Sequence, residues 1–340
     1  MAKPKHDVPD GLNEEYYQIG SDILGSFNKY RPPLDIFLFK EDVSRVMPYY
    51  RKGGRLSNEQ VEELAALVEE GVVFVSRNDH PVYVKHISYQ LDLVLVDKNL
   101  KESEIADIFQ QALTRRAGEF FDQPVKPVYD KLYVDLMVLT EYLFEDPNRV
   151  RALLKRLHAE HSLANHAFNT LVAGLGLFVA RNKTNFEEGG VKRKYFDNVA
   201  VGLTIHDLGM TKIPPFVRDK TKPLTTEERG KILQHPKLGN EMLIKFDAKF
   251  PEVEECVLDH HERLTGQGYP QKKKGEEVGK VARLCAVVDS FCAMTVKRPY
   301  AEAMDQSAAA AALGSDPGYD SDVTGDLKLM VMEMKGLIKR

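Results

Sequence analysis

Val199-Ala-Val-Gly-Leu-Thr-Ile-His-Asp207 is an apolar run that ends on two ionisable side chains. Pro251-Glu-Val-Glu-Glu-Cys-Val-Leu-Asp-His-His261 has the same layout, with Val253, Cys256 and Val257 at helical spacing before the histidine pair. Proline suits the first turn of a helix, so both segments read as helices with an adjacent ionisable pair near the C-terminus. A third run opens near Glu276 and carries Val278, Val281, Ala282, Cys285 and Val288 at a period of 3.6. Cys285, Val288 and Cys292 place Asp289 on its buried stripe. Burying an imidazole or a carboxylate costs free energy unless it is paired, and a metal cation removes that cost by binding the deprotonated groups directly.

Seven of the ten histidines, His158, His161, His166, His206, His235, His260 and His261, fall between residues 158 and 261. His158 reads as an ordinary core or surface position, as do His6, His80 and His86 outside this stretch. His235, in Gln-His-Pro, carries little weight by itself. His166 lies five residues after His161 and, on a shared helix, would face elsewhere. The remaining imidazoles and acids come from several helices, too many for one tetrahedral structural zinc. No thiolate set accompanies them: Cys256, Cys285 and Cys292 form no CxxC pair and read as core fillers in a reducing compartment. Two neighbouring cations fit the count. A carboxylate can bridge such a pair, which can hold the attacking and leaving oxygens of a phosphoester displacement. The implied chemistry is phosphoester hydrolysis.

Outward from this cluster the chain changes character. Residues 35–40 and 71–76 are apolar, β-branched or aromatic and are bounded by turn residues, as strands are. Between them Ser57 and Gln60 form a capping box ahead of Leu64, Leu67 and Val68. Residues 81–85 are expected as a third strand after an Asn78-Asp79-His80 turn. From about Ser103 onward the periodic segments are helical, including one opened by a second capping box at Thr225 and Glu228 and a closing helix near Asp326. The expectation is a mainly α chain, with a small α+β domain over residues 1–125 and a helical domain over 126–340.

Composition narrows the function. With 340 residues, 43% hydrophobic and 29% charged, this is an ordinary globular chain of two domains. A net charge of -4 argues against attachment to nucleic acid by broad phosphate neutralisation. The longest uncharged apolar stretch, residues 171–180, falls short of the ~18–20 residues that cross a bilayer, so no membrane span is expected. Residues 1–10 lack the apolar core of a secretory signal. The expected location is the cytoplasm.

The ordered motifs His206-Asp-Leu-Gly-Met210, His235-Pro236, His260-His-Glu-Arg-Leu-Thr-Gly-Gln-Gly-Tyr-Pro270, Asp289 and Arg298-Pro-Tyr300 resemble the HD-GYP family. Its members are cyclic di-GMP phosphodiesterases within the HD metal-hydrolase superfamily, and the resemblance covers roughly residues 150–335. It implies an HD-type helical bundle around a di-metal centre. Carried over by position, the metal ligands are His161, His206, Asp207, His235, His260, His261 and Asp289, with Asp207 bridging and His161 taken as the first metal histidine. His206 and Asp207 thereby become the catalytic pair. Gly268, Tyr269 and Pro270 would line the bound dinucleotide and Arg298 would grip a phosphate. Iron is the expected metal and manganese the alternative; cyclic di-GMP is the expected ligand, with signalling proteins or a second copy of the chain as further partners.

Four positions depart from the family pattern: Met210 stands for the lysine of HDxGK, Thr265 for the aspartate of DGxGYP, Cys292 for an aspartate after Asp289, and Ala301 for a basic residue after Arg-Pro-Tyr. Leu157 occupies the position of a third-metal glutamate, so two metals are expected rather than three. A turnover-impaired receptor or scaffold for cyclic di-GMP is the alternative reading, and a hydrolase of another nucleotide stands third.

Overall fold

The computed structural model describes residues 15–96, 100–298 and 301–338. The chain divides into two compact units, residues 1–111 and 112–340. The division falls inside the helix Glu102–Asp122, ahead of the expected boundary at residue 125.

The first unit is built on an antiparallel sheet of β1 (Tyr16–Gln18), β2 (Ile36–Lys40), β3 (Arg45–Tyr50) and β4 (Val73–Ser76), in the order β1-β4-β2-β3. Phe37 of β2 pairs with Phe74 of β4 in register, and with Phe39 they form an aromatic cluster against which Tyr16 and Val46 pack. Helix α1 spans Ser21–Ser26. Helix α2 spans Asn58–Glu69 and begins at the Ser57–Gln60 capping box. The expected third strand is a helix instead, α3 (His80–Ile87). Pro81 sits in its first turn, where the missing N–H costs nothing. Tyr83 and Ile87, four residues apart and fully buried, mark the inward face.

The second unit is helical. Its principal helices are α4 (Glu102–Asp122, shared with the first unit in sequence), α5 (Lys126–Glu145), α6 (Leu163–Arg181), α7 (Arg193–Ile205), α8 (His235–Leu243), α9 (Pro251–Asp259), α10 (Lys280–Thr295), α11 (Gln306–Ser315) and α12 (Ser321–Met334). The apolar run of α6 has the length and composition of a membrane span, and most of it is buried in this unit's core, from His166 through Phe178. Helices α7 and α10 pack against it, and α9 packs against both of them. His166 lies near the start of α6, and His206 and His260 follow directly on the ends of α7 and α9.

Candidate metal centre

Helix α7 ends at Ile205, and His206 occupies its C-cap. The chain then tightens into a short 3-10 turn, Leu208–Lys212, which brings Asp207 round beside His206. Gly209 makes that turn possible. A Cβ there would lie 1.8 Å from the carbonyl oxygen of His235 and 2.7 Å from the amide of Gly239. The close approach presses the turn onto the start of α8, so Asp207 and His235 meet. Helix α9 ends in the same manner, with His260 at its C-cap and His261 next. Asp289 projects from the buried stripe of α10.

Three rings are oriented by the same device. His206, His235 and His260 each donate Nδ1–H to a carbonyl three or four residues back: Leu203 at 2.9 Å, Ile232 at 2.8 Å and Cys256 at 2.7 Å. Fixing the proton on Nδ1 leaves each Nε2 as a lone pair aimed at a common centre, as metal-ligating histidines are held. Nε2 of His235 and Nε2 of His260 face one another at 3.1 Å. Two lone pairs at that distance repel unless a cation stands between or beside them. Nε2 of His206 is buried without a hydrogen-bond partner among the described residues. The donor set thus fits cations.

The donors form two triads, His235–His260–His261 and His166–His206–Asp207, each with its ligand atoms within 4.8 Å of one another. Asp207 joins them. Its Oδ1 lies 3.2 Å from His235 and 3.8 Å from His260, while Oδ2 lies 3.7 Å from His206 and 3.8 Å from His166. Asp289 spans the same gap, with Oδ1 3.0 Å from His166 and Oδ2 4.0 Å from His261. Burial opposes charge on both carboxylates, yet the surrounding imidazoles hold them well below the usual range. Burial also opposes charge on His206, but without a cation Asp207 and Asp289 outweigh it and push that imidazole up to about 10, so a metal ion would take the place of the Nε2 proton. Burial and the neighbouring rings drive His260 well down, and burial takes His261 down to about 3.

The expected first histidine is corrected. His161 precedes the helix rather than opening it: Ser162 is the N-cap of α6, accepting from the amide of Asn165. His161 is exposed and belongs to neither triad. His166, in the first turn and 4% exposed, is the imidazole that meets Asp289 and Asp207. Ser162, four residues before His166, has its hydroxyl engaged in the cap.

The Gly-Tyr-Pro turn forms a wall beside the second triad. Tyr269 stacks on His261, with centroids 4.6 Å apart and planes 24° off parallel, and its amide donates to the His261 carbonyl. Burial raises the Tyr269 hydroxyl above its ordinary pKa. Gly266 has φ +78°, whereas Gly268 is required by crowding: a Cβ there would lie 2.4 Å from the Arg263 amide. Pro270 follows directly. Two residues absent from the expected set hold this loop. Glu262, 1% exposed, accepts from the amides of Gln271 and Lys273, and the Lys273 ammonium reaches the buried Asp259 at 2.6 Å. Lys273 is thus an anchor of the loop. Cys256, Cys285 and Cys292 are buried free thiols. Arg298 is half-buried beside His161; Pro299 and Tyr300 lie outside the described residues.

Residues 189–323 match the HD domain family, so the helical unit is an HD-domain fold. Among curated proteins the chain is similar to the cyclic di-GMP phosphodiesterase response regulator RpfG of Xanthomonas campestris pv. campestris, 35% identical over 133 residues. That match takes in 39% of this chain and 35% of the relative. A cyclic di-GMP phosphodiesterase of Thermotoga maritima is 30% identical over 161 residues, 47% of this chain and 41% of the relative. The matches thus span well under half of either relative. In fold the chain is similar to Bd1817, an HDG"Y"P protein from Bdellovibrio bacteriovorus, with a TM-score of 0.58 at 15% identity over 93% of this chain and 99% of that one. The helical unit thus carries an HD domain, and the chain is similar to proteins of the HD-GYP family.

Proposed function

We propose that the helical unit is a metal-dependent phosphodiesterase that opens cyclic di-GMP. The observation that carries this reading is the bridge: one carboxylate, Asp207, offers an oxygen to each of two histidine-containing triads. The ligands are His166, His206, Asp207, His235, His260, His261 and Asp289. A pair of cations there, iron first and manganese second, supplies Lewis acidity toward a phosphodiester and lowers the pKa of water. Asp207 and Asp289 remain ionised under the surrounding imidazoles, ready to ligate without first losing a proton. The Nδ1 donations of His206, His235 and His260 keep their rings aimed as charge changes at the centre. Gly268, Tyr269 and Pro270 give the dinucleotide a wall, stiffened by the stack on His261, and Arg298 offsets phosphate charge. Names of relatives include both cyclic di-GMP and 3'3'-cGAMP enzymes, so the substrate test includes both.

Turnover is expected to be slow, because Met210 replaces a cation next to the cluster; losing one well-placed donor at a transition state costs ~2–4 kcal/mol, or ~10²–10³ in rate. Iron- or manganese-loaded protein incubated with cyclic di-GMP is predicted to release linear dinucleotide or GMP, resolved by chromatography. No product after prolonged incubation contradicts hydrolysis. The same Met210 favours a second reading, a cyclic di-GMP receptor: calorimetry showing intact ligand bound for hours would support it.

A further inference from the structure

His161 lies outside both metal triads, yet the segment that carries it is fastened with unusual thoroughness. The buried Asn169 side chain accepts from the His158 amide at 2.8 Å and donates to the His158 carbonyl at 2.9 Å. The Asn165 side chain donates to the Glu160 carbonyl at 3.0 Å. A short parallel pairing completes the clamp: the Lys297 amide donates to the Ala159 carbonyl at 3.0 Å and the His161 amide to the Lys297 carbonyl at 3.3 Å. Backbone held this firmly fixes where the side chain starts. The imidazole itself makes no hydrogen bond among the described residues, and its centroid stands 6.0 Å from that of His166. The pairing also puts Arg298 one residue beyond the backbone group that His161 grips. A preorganised ring with free donor capacity, beside a guanidinium and next to a cation-binding cluster, is a contact awaiting an anion.

We infer that His161 is a substrate-binding residue, donating a ring N–H to a phosphate oxygen of the phosphodiester while Arg298 pairs with the same group. The assignment deepens the phosphodiesterase reading and rests on it for the substrate. The experiment compares wild type, His161→Ala and His161→Gln, all metal-loaded, in calorimetric binding of cyclic di-GMP, in hydrolysis of bis(4-nitrophenyl) phosphate and in metal content by elemental analysis. The alanine variant is expected to keep its metal and to bind about tenfold more weakly, with KM raised more than kcat falls; glutamine, which keeps an N–H donor, recovers part of the loss. Loss of metal in the alanine variant overturns the proposal, since His161 would then be a ligand. Unchanged affinity and KM with full metal also overturn it. If wild type ignores cyclic di-GMP but cleaves the nitrophenyl diester, the dinucleotide reading fails while the KM comparison still judges His161. If wild type handles neither probe, both fall.

Discussion

His206 performs two tasks with two atoms: Nδ1 anchors the ring to its own helix and Nε2 faces the centre without a hydrogen-bond partner among the described residues. That division was legible in the sequence as an ionisable pair at the end of an apolar run, and so was its counterpart at His260 and His261. His166 was not, because spacing from His161 has meaning only if both share a helix. The Ser162 cap separates them. Glu262 was hidden for another reason: its role is to receive amides nine and eleven residues away, which no local pattern reveals. Met210, half-exposed on the turn after Asp207, makes the clearest single-residue prediction. Met210→Lys is expected to raise kcat on cyclic di-GMP tenfold or more, read by product release at saturating substrate; an unchanged kcat would contradict the assigned cause of slow turnover.

At the level of elements, the pattern signals worked where local chemistry decides. The capping boxes at Ser57 and Thr225 open helices, Pro251 starts α9, and residues 36–40 and 73–76 are paired strands. They failed at residues 81–85, where β-like composition was overridden by proline geometry and by an inward face repeating every four residues. The short strand β1 and the proline-containing β3 were invisible for the opposite reason, since their identity comes from partners far along the chain. The approach of the 208–212 turn to α8 is the element-level contact on which the site depends. Gly209→Ala sets a methyl group against the His235 carbonyl, so the helix must shift. The expected cost is about 3 kcal/mol, seen in a lower denaturant midpoint, together with loss of bound metal. A variant as stable and as metal-rich as wild type would show that the turn tolerates a wider gap.

Across the whole molecule the buried imidazoles couple stability to pH once the protein is stripped of metal. His260 and His261 are depressed, the latter to about 3. A histidine with a lowered folded pKa is protonated first in the unfolded chain, so the stability linked to it is present above about pH 6.5 and is lost as pH falls toward 3. His206 has the opposite sign: raised to about 10, its contribution is complete below about pH 6.5 and fades as pH rises through 10. Thermal melts of chelated protein should therefore decline in both directions from near-neutral pH, most steeply toward acid. A flat profile would mean that these rings are not held together in the folded state. The most direct measurement is elemental analysis of protein purified without chelator. About two iron or manganese ions per chain is the predicted result, given two triads joined by one carboxylate; a chain that carries none, and takes up none when supplied with either metal, contradicts the account.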